Sequence, residues 1–478
     1  MRLIPVILAR QLAIGLDDMF QYDMLARSLA SGNGFRWYAP ADLASLAPYL
    51  HLDLVNLTLD PRGMLTTFRA PLYPAFLAII YYFNGINADR FFAARLAQTV
   101  LGALLAPLTY FTASLLLPQN SKNLGGEQEA GKNEKAAKIS GWMVAVYPMF
   151  LIFPLALATE NLFFLLVLAS VLALLKLAEH SQFPIPNSRL TICYSVLSGF
   201  LLGLAALTRS IILPFGALAI LWIWFILKQW RGAILSALAL ILTITPWIVR
   251  NSLIEHRLSG IETSLGYNLY VGYYPQSSGT FAFGPSLDLL SILNDKTRDE
   301  VGTQKAIQFI EQDPARFPVL AVNRLGYFFD VEWRAFTYFY VNDYLGYIPT
   351  IFLILILLIL ALPFMAIAVS AAYGSALLSW NPQTILLALL FIGYLLPHVF
   401  ILSEERFHLT LIPFFAILAA GFWTNGISAL KARGKLLVAI SSLVVLLLLV
   451  NWGFELAHSG YTILQMLGPN GNQLYLPY

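Results

Sequence analysis

Long apolar runs broken by short polar turns dominate the chain. A helix crossing the hydrocarbon of a bilayer needs roughly 17–25 mostly apolar residues. Runs of that kind lie near residues 91–117, 139–158, 161–178, 191–208, 211–228 and 232–249, and again near 347–369, 383–403, 408–424 and 436–453. Residues 1–16 read as a further span that is too short and carries Arg10, a side chain long enough to snorkel to the interface. The segment 71–84, from Pro71 to Asn84, is apolar over only half a membrane thickness. It reads either as a crossing or as a helix lying at the surface. The pattern predicts an all-α polytopic membrane protein with about 11 transmembrane helices in one domain, 1–478.

Two long polar segments interrupt the runs, 17–90 and 250–346. In the first, Asp18 to Gly32 reads as a short amphipathic surface helix stopped by Gly32-Asn33-Gly34, with Asp18 and Tyr22 on one face. In the second, Gly266 to Pro275 reads as Gly/Tyr/Pro turns and about 299–312 as a helix. The stretch Gln119–Lys138 has no apolar period and reads as a flexible linker. The loops after alternate spans carry Lys122, Lys132, Lys135, Lys138, Arg189, Arg231, Lys431, Arg433 and Lys435. The positive-inside rule therefore puts 118–138 in the cytoplasm and both long loops outside, in a plasma or inner membrane.

Composition agrees. The 478 residues are 58% hydrophobic and 12% charged, with a mean hydropathy of +0.70, too little charged surface for a soluble domain of this length. A net charge of +3 without a basic-aromatic patch argues against a nucleic-acid partner. Cys193 alone allows neither an intramolecular disulfide nor a thiolate metal cluster. The apolar start runs into Asp17 and Asp18 without a small-residue cleavage site, so no cleavable signal is expected.

Ionisable groups near helix ends at one depth are the candidates for chemistry. On this topology Asp17 and Asp18, Glu160, Arg209, Arg250 with Asn251, and the turn of Glu404, Glu405, Arg406 and His408 all gather on the outer side. Taken singly each has a plain reading. A lone arginine at a helix end usually snorkels to headgroups, and an acid there is often just solvated. Their common depth suggests an outward-facing cleft of mixed charge.

The motifs then follow one another in a known order. Asp18, Tyr22, Ala26, Leu29 and Gly32 come first, then Arg69-Ala70-Pro71-Leu72-Tyr73-Pro74, Glu160, and Gly203 to Arg209 in Gly-Leu-Ala-Ala-Leu-Thr-Arg. Thr245-Pro246-Trp247-Ile248-Val249-Arg250-Asn251, Gly266 to Gly272, and Arg406 before a Pro413-containing helix complete the set. In this the chain resembles the polytopic glycosyltransferases of the C superfamily, especially the bacterial branch related to protein mannosyltransferases and lipid A aminoarabinose transferases. It departs from them in its truncated first helix.

The resemblance implies a hexosyl- or pentosyltransferase that takes one sugar from a polyprenyl-phosphate donor to a lipid, protein or polysaccharide acceptor outside the membrane, with inversion. It places the catalytic acid at Asp18 when aligned on Tyr22, or at Asp17 when the family's acidic doublet is read literally, with Glu160 as second acid. It also puts Tyr22, Arg69, Arg209, Arg250, Asn251 and Arg406 at the substrates. Some family members hold a divalent metal with acids; no tight ligand cluster occurs here, so no obligatory metal is expected. A transporter or flippase, or a ligase of lipid-linked glycans, is the rival class. No internal repeat is visible, and the charges sit on one face, which favours the enzyme.

Overall fold

The computed structural model describes residues 1–49, 60–117, 126–181 and 188–475. Helices make up nearly all regular structure; the strands among these residues are Arg36–Trp37 and Met64–Leu65, paired antiparallel in the first long loop. Among the described residues, eight helices are long and apolar enough to cross a membrane: Arg90–Leu116, Glu160–Ser181, Arg189–Thr208, Trp230–Glu255, Thr350–Ser375, Pro382–Phe400, Glu405–Ala432 and Lys435–Met466. A ninth crossing is the pair Gly131–Val146 and Pro148–Leu155 if its 47° bend is one broken span. Pro148 explains the break, since proline cannot continue the hydrogen-bond ladder.

Four expectations change. Residues 211–228 do not form a full-length span: the helix is Ser210–Phe225 and counts among the shorter apolar ones. In the N-terminal 16 residues the helix runs only Leu3–Leu8. Arg10 pairs with Asp89 at 3.0 Å, while Arg2 is buried and donates to the carbonyls of Val144 and Phe150. Gln119–Gly125 lies outside the described residues, but Gly126 onward continues the following helix instead of a linker. Good helix formers and the Glu134–Lys138 pair, one turn apart at 2.7 Å, account for that. Finally, Gly266 to Pro275 does not make turns; Leu265–Tyr273 is a helix. Its glycine serves close packing: a Cβ on Gly266 would lie 2.0 Å from the Asp299 carbonyl in the Asp295–Gln312 helix.

The 71–84 segment is the helix Leu72–Asn84, 13 residues or about 20 Å long, short of the roughly 30 Å hydrocarbon. It packs on the helix Asp18–Ala30, where the Tyr22 and Tyr73 rings meet edge to face at 5.2 Å. Between spans, Ser188–Thr208 lies against Trp230–Glu255 at a seam of small residues, where a Cβ on Gly199 would stand 2.0 Å from the Ser236 carbonyl. Gly203 meets Thr243 one turn on, completing a Gly-x-x-x-Gly contact.

Candidate active site

The site is built where helix ends meet. Glu160 opens the helix Glu160–Ser181, and Arg209 directly follows the helix Ser188–Thr208. Glu160 Oε1 lies 2.5 Å from Arg209 Nη1, so the start of one helix meets the end of the next and the two run antiparallel. Arg189, at the far end of Ser188–Thr208, is therefore some 30 Å away by helix length. This separates the loop basic residues from the acidic and arginine-rich end.

Asp18 enters from the surface helix Asp18–Ala30. That helix is N-capped by Asp17, whose Oδ1 accepts from the Met19 N–H at 2.8 Å. Asp18 accepts a hydrogen bond and ion pair from Arg69, whose Nε donates to Gln21 at 2.8 Å. Arg69 stacks over Tyr22 and Phe68, with its charged carbon 5.3 and 5.1 Å from the ring centres. Arg406, from the 3₁₀ turn Glu405–Leu411, closes the group: 3.8 Å from Asp18, 3.8 Å from Glu160 and 2.6 Å from Glu404. The Phe407 ring lies under both Arg209 and Arg406.

The structure thus brings Asp18, Tyr22, Arg69, Glu160, Arg209 and Arg406 together. Glu160 is 4% exposed in its side chain and Asp18 39%, so Asp18 is the more accessible of the two acids. Desolvation opposes the charge on Arg69, but Asp18 together with Tyr22, Tyr267 and Glu262 outweighs it and holds the guanidinium above its ordinary pKa. Burial likewise opposes the charge on Arg209, and Glu160 with Tyr394 and Tyr22 reverses the balance. Asp17 sits beside this group and bonds the Tyr338 hydroxyl. Part of Asp17 is exposed, yet the protein packed around its carboxyl desolvates it. That burial first, and Asp18 second, raise its pKa against the pull of Met19, Tyr338 and Arg406.

Two residues go elsewhere. Arg250 donates to the Thr66 carbonyl at 2.6 Å and the Phe35 carbonyl at 3.3 Å, stacked on Trp247 at 4.6 Å. Asn251, fully buried, donates to the carbonyls of Gly260 and Ile261. Both tie the loops to the membrane helices and make no contact with the acids. From the 404–408 turn, Glu405 accepts from the Arg334 N–H and His408 pairs with buried Glu332 at 2.7 Å, away from the cluster. Tyr267, Tyr270 and Tyr273 of the second long loop are buried in packing against Phe68, Phe309 and Phe317. Gln21 and Thr159 escaped the sequence reading. Gln21 was legible as three residues after Asp18 on a shared helix face, whereas Thr159, which accepts from Arg209 at 3.3 Å, offered no signal.

Among the described residues no three His, Cys, Asp or Glu side chains gather to hold a metal ion. The acids of the cluster are taken up by guanidinia, which supply the local positive charge.

An antiparallel bundle of apolar helices with an acid–arginine cluster at one end defines a polytopic membrane protein with a charged site at a helix-end face. No family model matches the chain, and no curated protein matches it. The solved structures similar to it include the archaeal oligosaccharyltransferase AglB of Archaeoglobus fulgidus in complex with an inhibitory peptide and a dolichol-phosphate. It is 14% identical, covers 99% of this chain and 60% of its own, and has a TM-score of 0.43. The same organism's oligosaccharyltransferase in complex with Zn and sulfate has 15% identity, TM-score 0.43 and coverage of 99% and 57%. ArnT from Cupriavidus metallidurans bound to undecaprenyl phosphate is 13% identical, with coverage of 89% and 76% and a TM-score of 0.39. The chain spans about 60% of the length of the oligosaccharyltransferase. These neighbours are C-superfamily polytopic glycosyltransferases, the class the sequence motifs resemble. At such scores and identities the likeness fixes neither donor nor acceptor for this chain.

Proposed function

We propose that the protein moves a single sugar from a polyprenyl-phosphate donor to an acceptor on the extracytoplasmic face, with inversion at the anomeric carbon. The observation that carries this reading is the convergence of Arg69, Arg209 and Arg406 on Asp18 and Glu160 at the helix-end face. Sugar transfer from a lipid phosphate needs what that group offers: cations for a phosphate whose charge grows as it leaves, and a carboxylate to take the nucleophile's proton.

Guanidinium forks bind two phosphate oxygens at once, and stacking on Tyr22, Phe68 and Phe407 holds their planes. Asp18, more accessible than Glu160, is within reach of an entering acceptor. In the proposed step the acceptor hydroxyl gives its proton to the Asp18 carboxylate while its oxygen attacks the anomeric carbon. The carbon–oxygen bond to phosphate breaks on the opposite face, and polyprenyl phosphate departs against Arg209 and Arg406. Glu160 keeps both arginines placed. The lipid tail lies between apolar spans. The positive-inside count, with Arg189 and Arg231 opposite the cluster, supports an extracytoplasmic site.

The test is transfer of labelled sugar from polyprenyl-phosphate donors in membranes carrying Asp18→Asn. Removing the base should cut the rate by about 10²–10⁴-fold while the protein still inserts and folds. Wild-type transfer by that variant excludes Asp18, and the same assay on Asp17→Asn then decides whether Asp17 serves. Donor lipid moved across the bilayer without a glycosylated product would identify a flippase instead.

A further inference from the structure

A second polar site lies at the other end of the helix that carries Asp18. A cavity of about 140 Å³ opens between the last turns of Asp18–Ala30, the strand Arg36–Trp37 and the turn at Arg62. That is on the order of ten times the space holding one water. Its wall includes Arg27, Arg36, Arg62, Asp42, Asn33 and Trp37, hence three guanidinia and one carboxylate.

These arginines are fixed without being used up. Arg27 binds Asp23 at 2.8 Å through Nε and Asp42 at 2.7 Å through Nη2. Arg36 donates to the carbonyls of Asn33 and Gly63 through Nε and Nη1, and Arg62 holds Asp60 through Nε and Nη2. Arg27 Nη1, Arg36 Nη2 and Arg62 Nη1 are left without a hydrogen-bond partner among the described residues. A guanidinium with two groups anchored and one free is pre-organised to receive an oxyanion. The second observation is Trp37. It is 2% exposed, stacked on Tyr38 at 4.4 Å, and its indole N–H has no partner. That N–H is sealed from solvent, so what Trp37 gives the cavity wall is its aromatic body.

Guanidinia that each keep one unpaired N–H group, an aromatic residue in the wall and room for one ring describe an acidic sugar better than a lone ion. Arg27 lies nine residues after Asp18, about 14 Å along the helix axis. We infer that this cavity is a subsite for an anionic sugar unit of the acceptor glycan, set one helix length from the reacting end. The inference rests on the proposed transferase reading. It adds a specificity: acceptors carrying a carboxylate about 14 Å from the reacting hydroxyl should be favoured over neutral ones.

The test uses the full chain in phosphatidylcholine nanodiscs, with glucuronate and glucose as probes read by saturation-transfer NMR. Wild type should bind glucuronate and not glucose. Arg62→Gln, at a largely exposed position, and Arg36→Lys, which keeps the charge and loses the fork, should each weaken glucuronate binding about tenfold or more. Unchanged binding of the polyprenyl-phosphate donor by both variants confirms their fold. Equal binding of glucose, or glucuronate binding untouched by either substitution, overturns the subsite. Loss of the glucuronate signal on adding phosphatidylglycerol to the nanodisc also overturns it, in favour of a headgroup site. Transfer is assayed separately. An active transferase that ignores glucuronate refutes the subsite alone, whereas glucuronate binding by a protein inactive with every donor refutes the transferase reading and the acceptor role with it, leaving an anionic-sugar site.

Discussion

Glu160 and Arg209 hold the centre of the cluster, and their coupling can be measured. Glu160 is 4% exposed in its side chain, Arg209 20%, and they stand 2.5 Å apart with Arg406 3.8 Å from the same oxygen. At an effective dielectric near 20, two unit charges at this separation attract by about 7 kcal/mol before desolvation. Desolvation offsets much of that, but removing one partner strands a buried charge, which costs about 3–5 kcal/mol. Glu160→Gln should therefore destabilise the protein by about that amount, a little less where Glu404 still serves Arg406. Arg209→Gln should do the same, leaving Glu160 to Arg406 and Thr159. The double variant carries two neutral amides and should be more stable than the sum of singles by at least about 2 kcal/mol. Reversible unfolding by sodium dodecyl sulfate titration of the purified protein in mixed micelles reads all four corners. Singles within about 0.5 kcal/mol of wild type, or an additive double, would mean that the two side chains act independently at the interface. The reasoning about a shared site would then fail.

Three further outcomes follow from other parts of the structure. Gly199→Ala should weaken packing of Ser188–Thr208 on Trp230–Glu255 by about 1–3 kcal/mol, because its Cβ would clash with the Ser236 carbonyl at 2.0 Å. Wild-type stability in the same titration would show that the seam yields. Burial pushes the Asp330 carboxyl up to about 6, so it holds its proton in the folded protein at pH values where the unfolded chain has lost it. Its contribution is fully present below the ordinary carboxylate pKa and is lost as pH rises through about 6. Thermal stability of wild type minus that of Asp330→Asn should therefore fall between about pH 4 and 6, and parallel curves would refute this. Because guanidinia already neutralise the acids of the cluster, transfer should survive treatment with EDTA. Loss of activity restored by Mg²⁺ or Mn²⁺ would instead place a cation among Asp17, Asp18 and the donor phosphate.

Much of this was legible along the chain because it is local. A run of apolar residues crosses or packs regardless of its neighbours, so most runs begin within a few residues of the helices that form, while several helices, Lys435–Met466 most of all, continue past the apolar run. The surface helix at Asp18 was equally readable from its spacing and the Gly32-Asn33-Gly34 stop. Local pattern misled where a distant contact overrode it. Gly266, a turn signal on its own, became a packing surface because Asp299 sits against it.

The sequence alone determined which residues are too polar for lipid and at which helix ends they stand, because hydropathy is a property of each segment. Only the tertiary structure decided which of those ends touch. It brought Glu160 to Arg209 and Asp18 to Arg69, and it turned Arg250 and Asn251 to loop carbonyls instead. All of these residues share the same signature in sequence, a polar group at the end of an apolar run. Their partners lie from about ten to about two hundred positions away and are chosen by how the chain packs.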